Sequence, residues 1–448
     1  MTNLRAITVL GVLVSLLAWS VPVHGEDAPD HWNLGTIGAT ADLVEGRLVL
    51  SAIGSESSAA GTLKEGDVLL RAAGEDLGGD PLQVLGRALD AAEKKGRLEL
   101  VIERDGAPRE VKLRVPKLGS YAGAFTASHA KSKKLIKATC TYLVSTQKGG
   151  GVWHSYRDGQ KHRGDGITTA TVMSAMGLMA VDPKKYKSAI RSARGFALTE
   201  VRPAELGPDA TSGLHRNWPL AITCLFLAEL YGQGGDKAVR RHLDAMLDRL
   251  ARNQEETGGW SHFPGFSEGP HYKSLSSLTA LASTAQGVAL ATGVEVDAES
   301  VRKGLDYLEG CIAENGGLAY SAVNGATGVQ CAGRSCGALL AFHIHGRTGP
   351  KIECLRSYVL ERFTDVLESH PAPLTGVWFA AMLAGRWLVE DDDALAGFQA
   401  RLTEHLLPFV TLARHPEGYF VAQPSSETRR VGRSQGKSNA DRQVHDPY

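Results

Sequence analysis

Four side chains able to carry a proton, His154, His215, His262 and Tyr272, stand beside glycine- and proline-rich stretches. An imidazole or a phenolate can take a proton beside a carboxylate, and its conjugate acid can return one to a leaving oxygen. Around them lie Trp153, Asn217, Trp218, Trp260, His271, Tyr320 and Arg334. Aromatic faces stack on a sugar or peptide, and amide and guanidinium groups donate to hydroxyls or carboxylates. The candidate ligand is therefore an acidic or hydroxylated polymer, a polysaccharide or a peptide. The alternative is that each ring packs on its own turn as core.

The spacing of these residues implies the elements that carry them. Gly150-Gly151-Val152-Trp153-His154, Gly258-Gly259-Trp260-Ser261-His262 and Gly316-Gly317-Leu318-Ala319-Tyr320 repeat one pattern, echoed at Gly418-Tyr419-Phe420. Counted from the second glycine the gaps are 108, 58 and 101, so an unmarked turn is expected inside each long gap. Leu206-Gly207-Pro208-Asp209 and His370-Pro371-Ala372-Pro373 fall where those turns are needed. A unit of about 50 to 58 residues holding two apolar-periodic segments is a helical hairpin, which must cover its neighbour's apolar face. The same count places His154, His262 and Tyr320 at one equivalent position, around one mouth of a ring.

The periodicity predicts helices over about 132–147, 168–180, 183–198, 218–231, 236–254, 274–292, 298–313, 335–345, 352–368, 375–388 and 394–413. No metal or other cofactor is expected. Cys331, Cys336, His343 and His345 are the tempting ligand set, but His343 and His345 are two apart on a helix and point to different sides. Cys331 and Cys336 are the candidate disulfide pair, and Cys224 sits in an apolar helix as packing. Glu390-Asp391-Asp392-Asp393 precedes a helix, where carboxylates favour the positive end of the dipole.

The 49 basic and 49 acidic residues cancel, so neither nucleic acid nor an anionic membrane surface is an expected partner. Residues 1–25, with Arg5, an apolar run from Ala6 to Ala18 and Gly25 before Glu26, read as a secretory signal peptide. The expected location is secreted or periplasmic, with no membrane span after cleavage; an uncleaved anchor is the alternative. The polar stretch 424–448 reads as a disordered tail.

Residues 32–117 carry β-like runs at Leu48 to Leu50, Val68 to Leu70, Leu98 to Ile102 and Val111 to Val115, interrupted by one amphipathic helix from Pro81 to Lys95. Leu34-Gly35-Thr36-Ile37-Gly38, Ser57-Ser58-Ala59-Ala60, Leu63 to Leu69 and Glu103-Arg104-Asp105-Gly106 resemble a PDZ domain of the bacterial export-protease type. That resemblance implies capture of a peptide C-terminus by the amides of Leu34, Gly35, Thr36, Ile37 and Gly38, with Leu82 and Leu85 on the opposite wall. Over residues 125–422, Gln147 six before Trp153 and Gln254 six before Trp260 look like repeats of the prenyltransferase and squalene-cyclase α/α-toroid superfamily. There the glutamine ends an outer helix and the aromatic packs over the turn into an inner one. The Asp-x-Asp-Asp motif of the cyclases and the Gly-Cys-Gly-Glu-Gln thioester motif are absent. The whole order resembles a family of secreted bacterial proteins with an N-terminal PDZ domain and such a toroid, a resemblance that implies no particular reaction.

The expected fold is thus multidomain: a small β-rich PDZ domain followed by an all-α toroid of helical hairpins. The expected function is an exported binding protein, its PDZ module holding a peptide terminus and its toroid mouth a second, polymeric ligand, without terpene cyclisation. Two alternatives stand beside it: a carbohydrate-active lyase or hydrolase with its site in the mouth, and a structural protein with the PDZ domain as a lid.

Overall fold

The computed structural model describes residues 31–121, 129–153, 163–208, 216–234, 236–264, 274–322, 326 and 330–362, then 379, 380, 383, 404, 407–415, 419, 420 and 423. By internal contacts the described residues form two units, one from 144–391 and one from the remainder at both ends.

In the second of these, β1 (Trp32–Asn33), β2 (Ala39–Val44), β3 (Arg47–Ile53), β4 (Val68–Ala72), β5 (Glu75–Asp76), β6 (Arg97–Arg104) and β7 (Ala107–Arg114) make one antiparallel sheet. The order is β1-β2-β3-β4-β6-β7, with β5 on β4. Helix α1 (Pro81–Lys95) starts where proline's fixed φ suits the first turn and the Asp80 carboxylate accepts from Gln83 N at 3.0 Å. It stops at Gly96, whose φ is 83°. Leu85, Leu89 and Ala92 share its buried stripe and one core with Leu48, Leu50, Leu100 and Ile102 of the sheet.

The expectation of a separate PDZ domain is corrected here. Leu412, some 300 residues away, belongs to the same core, and Phe409 packs against it. Both lie on the short helix α11 (Leu407–Ala413), which runs over α1 and the turn at Gly35–Ile37. A Cβ on Gly86 would lie 2.5 Å from Pro408 O, and one on Gly35, whose φ is +63°, 2.5 Å from Thr411 O. The backbone of Asn33 is clamped by the Gln423 amide at 2.8 and 2.9 Å, and its side chain donates to Leu412 O at 2.7 Å. Beneath, the buried Glu93 carboxylate accepts from Thr36 Oγ1 at 2.6 Å and pairs with Lys131 Nζ at 2.7 Å and Arg414 at 3.6 Å. Lys131 opens helix α2 (Ala130–Thr146) and also pairs with Asp90. A charge cluster this buried holds only when each member is bonded, so it ties α1, α2 and the C-terminal segment into one body.

The residues assigned to peptide capture sit under that segment. Leu34, Thr36 and Ile37 are buried, Leu85 is fully buried and Leu82 partly so. Residues 34 to 38 form a tight 3₁₀ turn in which Ile37 N donates to Leu34 O and Gly38 N to Gly35 O. An eighty-five-residue pattern carries no trace of a helix 300 residues on, which is why the sequence reads as a free-standing domain.

The other unit is built of helical hairpins of the α/α-toroid kind. Helices α3 (Arg163–Val181), α5 (Asn217–Gly232), α7 (Ser276–Ala291) and α9 (Ala332–Ile344) pack in succession. Helices α4 (Lys187–Thr199), α6 (Lys237–Arg252), α8 (Ala298–Gly310) and α10 (Pro350–Arg362) each back their predecessor. The division follows from composition. Every residue of α5 from Asn217 to Ala228 and of α7 from Ser276 to Ala289 is buried, whereas α6 buries one stripe, Val239, Leu243, Met246, Leu247 and Leu250.

Three outer-to-inner turns are built alike. Gly151, Gly258 and Gly316 have φ of +83°, +90° and +82°, and a Cβ on each would lie 2.4 to 2.6 Å from a backbone carbonyl oxygen of the next outer helix, Ser192, Lys303 or Cys354. Glycine is required twice over, by dihedral and by approach. Gln147 donates to Gly151 O and Ala189 O, both at 3.0 Å, as Gln254 does to Gly258 O and Ser300 O at 2.7 and 2.8 Å. The amides of Trp153, Trp260 and Leu318 donate to hydroxyls of Thr171, Thr279 and Ser335 on the next inner helix.

This register aligns Gly151 with the first glycine of the other two turns. His262 and Tyr320 therefore share a position, while the count that joined His154 to them is one residue out of step. Gly207 and Pro208 lie in the connection from α4 to α5, on the same edge, but follow a 3₁₀ turn and take no left-handed glycine: Gly207 has φ −89°. Pro371 to Pro373 lie outside the described residues.

Candidate functional site

The N-terminal edge of the inner helices is held together by straps between repeats. At the start of α5, Asn217 N donates to His262 O at 3.4 Å and Asn217 Nδ2 to Ser261 O at 2.7 Å. At the start of α7, Ser276 N donates to Tyr320 O at 3.0 Å and Ser276 Oγ to Ala319 O at 2.6 Å. Asn217 and Ser276 are thus equivalent, and so are His262 and Tyr320.

Each strap presents a ring. Trp218 Nε1 donates to His262 Nδ1 at 2.9 Å. With Nδ1 accepting, the His262 proton sits on Nε2, so the half-buried imidazole is a neutral donor and not a proton-abstracting base. In the next repeat the Arg334 guanidinium stands 5.2 Å from the centre of the Tyr320 ring, a cation–π contact. Arg334 is 2 % exposed and Tyr320 is half-buried. A donor imidazole, a phenol and a buried guanidinium along one edge suit an anionic, oxygen-rich ligand.

Other sequence candidates have structural duties. Trp260 is fully buried and donates to Leu250 O at 2.8 Å; Trp153 is buried behind its turn. The Asn217 amide is engaged at both ends, since its Oδ1 accepts from Asn253 Nδ2 at 2.8 Å while Nδ2 holds Ser261 O. His154, His215, His271 and Tyr272 lie outside the described residues.

Cys331 and Cys336 do not form the disulfide considered for them. Burial pushes the Cys311 thiol up to about 12 and that of Cys336 up as well, so neither is a thiolate nucleophile at neutral pH. His345 Nε2 contacts Ser283 O at 2.8 Å, and among the described residues no three His, Cys, Asp or Glu side chains gather as metal ligands would. Sequence reasoning passed over Ser261, whose hydroxyl donates to Glu255 at 2.7 Å, and Ser276 and Ser277, which only the strap register brings to this edge.

Among solved structures the chain is similar to a polysaccharide lyase, at 12 % identity and TM-score 0.41 over 56 % of this chain and 85 % of the other. It is also similar to UGL with dGlcA-Glc-Rha-Glc, at 10 % identity and TM-score 0.41 over 88 % and 97 %. A third is the type II terpene cyclase MstE from Scytonema with geranylgeranyl dihydroxybenzoate, at 12 % identity and TM-score 0.36 over 74 % and 98 %. No described helix is long and apolar enough to cross a membrane. No curated protein matches the chain. The model of the family described as Domain of unknown function (DUF6288) matches residues 132–441, and the chain belongs to that family.

Proposed function

We propose that this is an exported carbohydrate-active protein that cleaves an acidic polysaccharide by elimination at the N-terminal edge of its inner helices. The observation that carries the reading is the Tyr320 ring, at the position His262 holds in the preceding repeat, with the Arg334 guanidinium 5.2 Å from its centre. Elimination beside a uronate carboxylate needs a cation on that carboxylate, a base for the adjacent carbon-bound hydrogen and a proton for the departing glycosidic oxygen. Arg334 supplies the cation. Tyr320, reacting as its phenolate, takes the hydrogen; the C–O bond breaks as the C=C bond forms, and the phenol returns the proton to the leaving oxygen. His262 presents Nε2–H as a neutral donor to the charge that develops on the carboxylate.

The test is incubation with a panel of uronate-containing polysaccharides, monitoring the ultraviolet absorbance of the carboxylate-conjugated double bond. Product with the native chain and at least a hundredfold less with Tyr320→Phe is expected, the usual size of a lost acid–base group. Absence of both product and binding across the panel overturns the reading.

A further inference from the structure

The 49 basic and 49 acidic residues cancel over the whole chain but not locally. In the unit built on the sheet, exposed cations gather around the C-terminal end of α1. Lys95 ends that helix, and Arg97 opens β6 two residues on. Arg97 stands directly opposite Arg114 of β7 in the register of the sheet. Lys117 lays its side chain against Gly96, where a Cβ would lie 2.8 Å from Lys117 Cγ and 2.9 Å from its Cε. Lys134 of α2 donates to Lys117 O at 3.3 Å, and Lys137 follows one turn along. All six are exposed, and among the described residues the one carboxylate in ion-pair reach of any of them is Glu99, 2.9 Å from Arg97. Elsewhere on the same sheet Arg47, Arg71, Arg104 and Arg109 each have a carboxylate within 4.0 Å. Nor does the helix end need these charges: Glu93 O accepts from Leu118 N at 3.0 Å and Gly119 N at 3.2 Å, and Ala92 O from Gly96 N at 2.7 Å. Like charges directly opposite on a sheet destabilise it, so the Arg97–Arg114 pairing is charge that the packing does not use.

We propose that this face is a docking surface for an acidic polysaccharide, whose carboxylates lie along Lys95, Arg97, Arg114 and Lys117. The identity of the polymer rests on the proposed function. The surface belongs to the unit that does not carry Tyr320 and Arg334, so it is a second contact with the polymer and not part of the reacting site. Charge complementarity selects a polyanion, and the side chains select among polyanions. No aromatic ring is among them for a nucleobase to stack on. None of the exposed large apolar side chains, Val44, Val144 and Leu290, is among them to enter a bilayer. A hydroxylated chain of carboxylates needs only exposed cations close together. Holding the polymer here raises its effective concentration for the reacting site.

The experiment measures binding of polygalacturonate, a uronate polymer, to the full chain by calorimetry at about 50 and 200 mM salt. Beside the parent stand a patch variant, Lys95→Gln with Arg114→Gln and Lys117→Gln, and a control of equal charge change, Arg47→Gln with Arg71→Gln and Arg109→Gln. Expected are binding that weakens with salt, a roughly tenfold loss in the patch variant, the size for three exposed ion pairs, and little change in the control. The patch variant is expected to melt no lower than the parent, because the Arg97–Arg114 repulsion is gone. On whichever uronate polymer is cleaved, its KM rises and its kcat holds. Equal affinity in parent and patch variant, with polymer still cleaved, overturns the surface and leaves the function standing. Patch-dependent binding without unsaturated product from any uronate polymer supports the surface and overturns the cleavage. No polygalacturonate binding to the parent, equal losses in patch and control variants, or a patch variant melting several degrees lower overturns the surface. So does tighter binding of duplex DNA or of phosphatidylglycerol vesicles than of polygalacturonate.

Discussion

The indole of Trp218 and the imidazole of His262 are joined through Nε1 and Nδ1 at 2.9 Å, although 44 residues separate them. The bond dictates a tautomer. In the native chain, nitrogen NMR of His262 is expected to show the proton on Nε2, and Trp218→Phe, which removes the donor and keeps the ring, is expected to lose that preference. A protonated Nδ1 in the native chain would contradict the geometry. If His262 acts as a donor to the ligand, Trp218→Phe lowers cleavage by about tenfold without abolishing it.

The three left-handed glycines make a contrast with a fourth. At Gly258 an alanine meets both a φ of +90° and a carbonyl oxygen 2.6 Å away; at Gly150 it meets a φ of +78° with no heavy atom within 4 Å. Gly150→Ala is expected to cost about 1 to 2 kcal/mol, the backbone term alone, and Gly258→Ala about 3 kcal/mol or more because the outer helix must also shift. Thermal melting of the two variants checks the order, at about 2 to 4 °C per kcal/mol for a unit of this size. Equal losses would mean the approach to Lys303 is soft.

Residues 31–121 are expected not to fold to a stable state alone, because Leu412 and Phe409 complete their core and Asn33 loses the Gln423 amide. Circular dichroism of that fragment, with and without a peptide spanning residues 404–424, reads this directly. A cooperative β-rich transition in the fragment alone would restore the free-standing domain.

Burial pulls the His345 imidazole below its ordinary pKa of 6.5, against a smaller opposite effect from the Ser283 carbonyl it contacts. The unfolded chain therefore binds the proton first on acidification. This contribution to stability is intact above about 6.5 and falls away as the pH drops toward the native value. His345→Gln is expected to flatten that part of the stability profile between about pH 7 and pH 5.

Much of this was legible because the determinants are local. Helix α1 is bounded by a capping aspartate, a first-turn proline and a terminal glycine, and the hairpins announce themselves through glutamine, glycine and an aromatic at fixed separations. The register slip at the first turn has an equally local origin: Gly149, Gly150 and Gly151 run together, so counting glycines is ambiguous there, whereas Gln147-to-Trp153 and Gln254-to-Trp260 match. What stayed hidden is non-local. Nothing near Gly35 or Gly86 reports that Thr411 and Pro408 will lie against them, and nothing near Tyr320 reports that Arg334 will stand over its ring. The strap residues were half visible: Asn217 reads as a ligand-facing amide until both its ends are found bonded inside the fold.

The straps also set an order in time. The side chain that opens α5 has its carbonyl partner 44 residues downstream, and the one that opens α7 has its partner 43 downstream. During synthesis, then, the start of an inner helix lacks these strap partners until its own outer helix and the turn beyond it have left the ribosome. Each repeat is finished by its successor, so a chain halted at a hairpin boundary would carry one frayed, polar helix start at its growing end, a feature a chaperone could read.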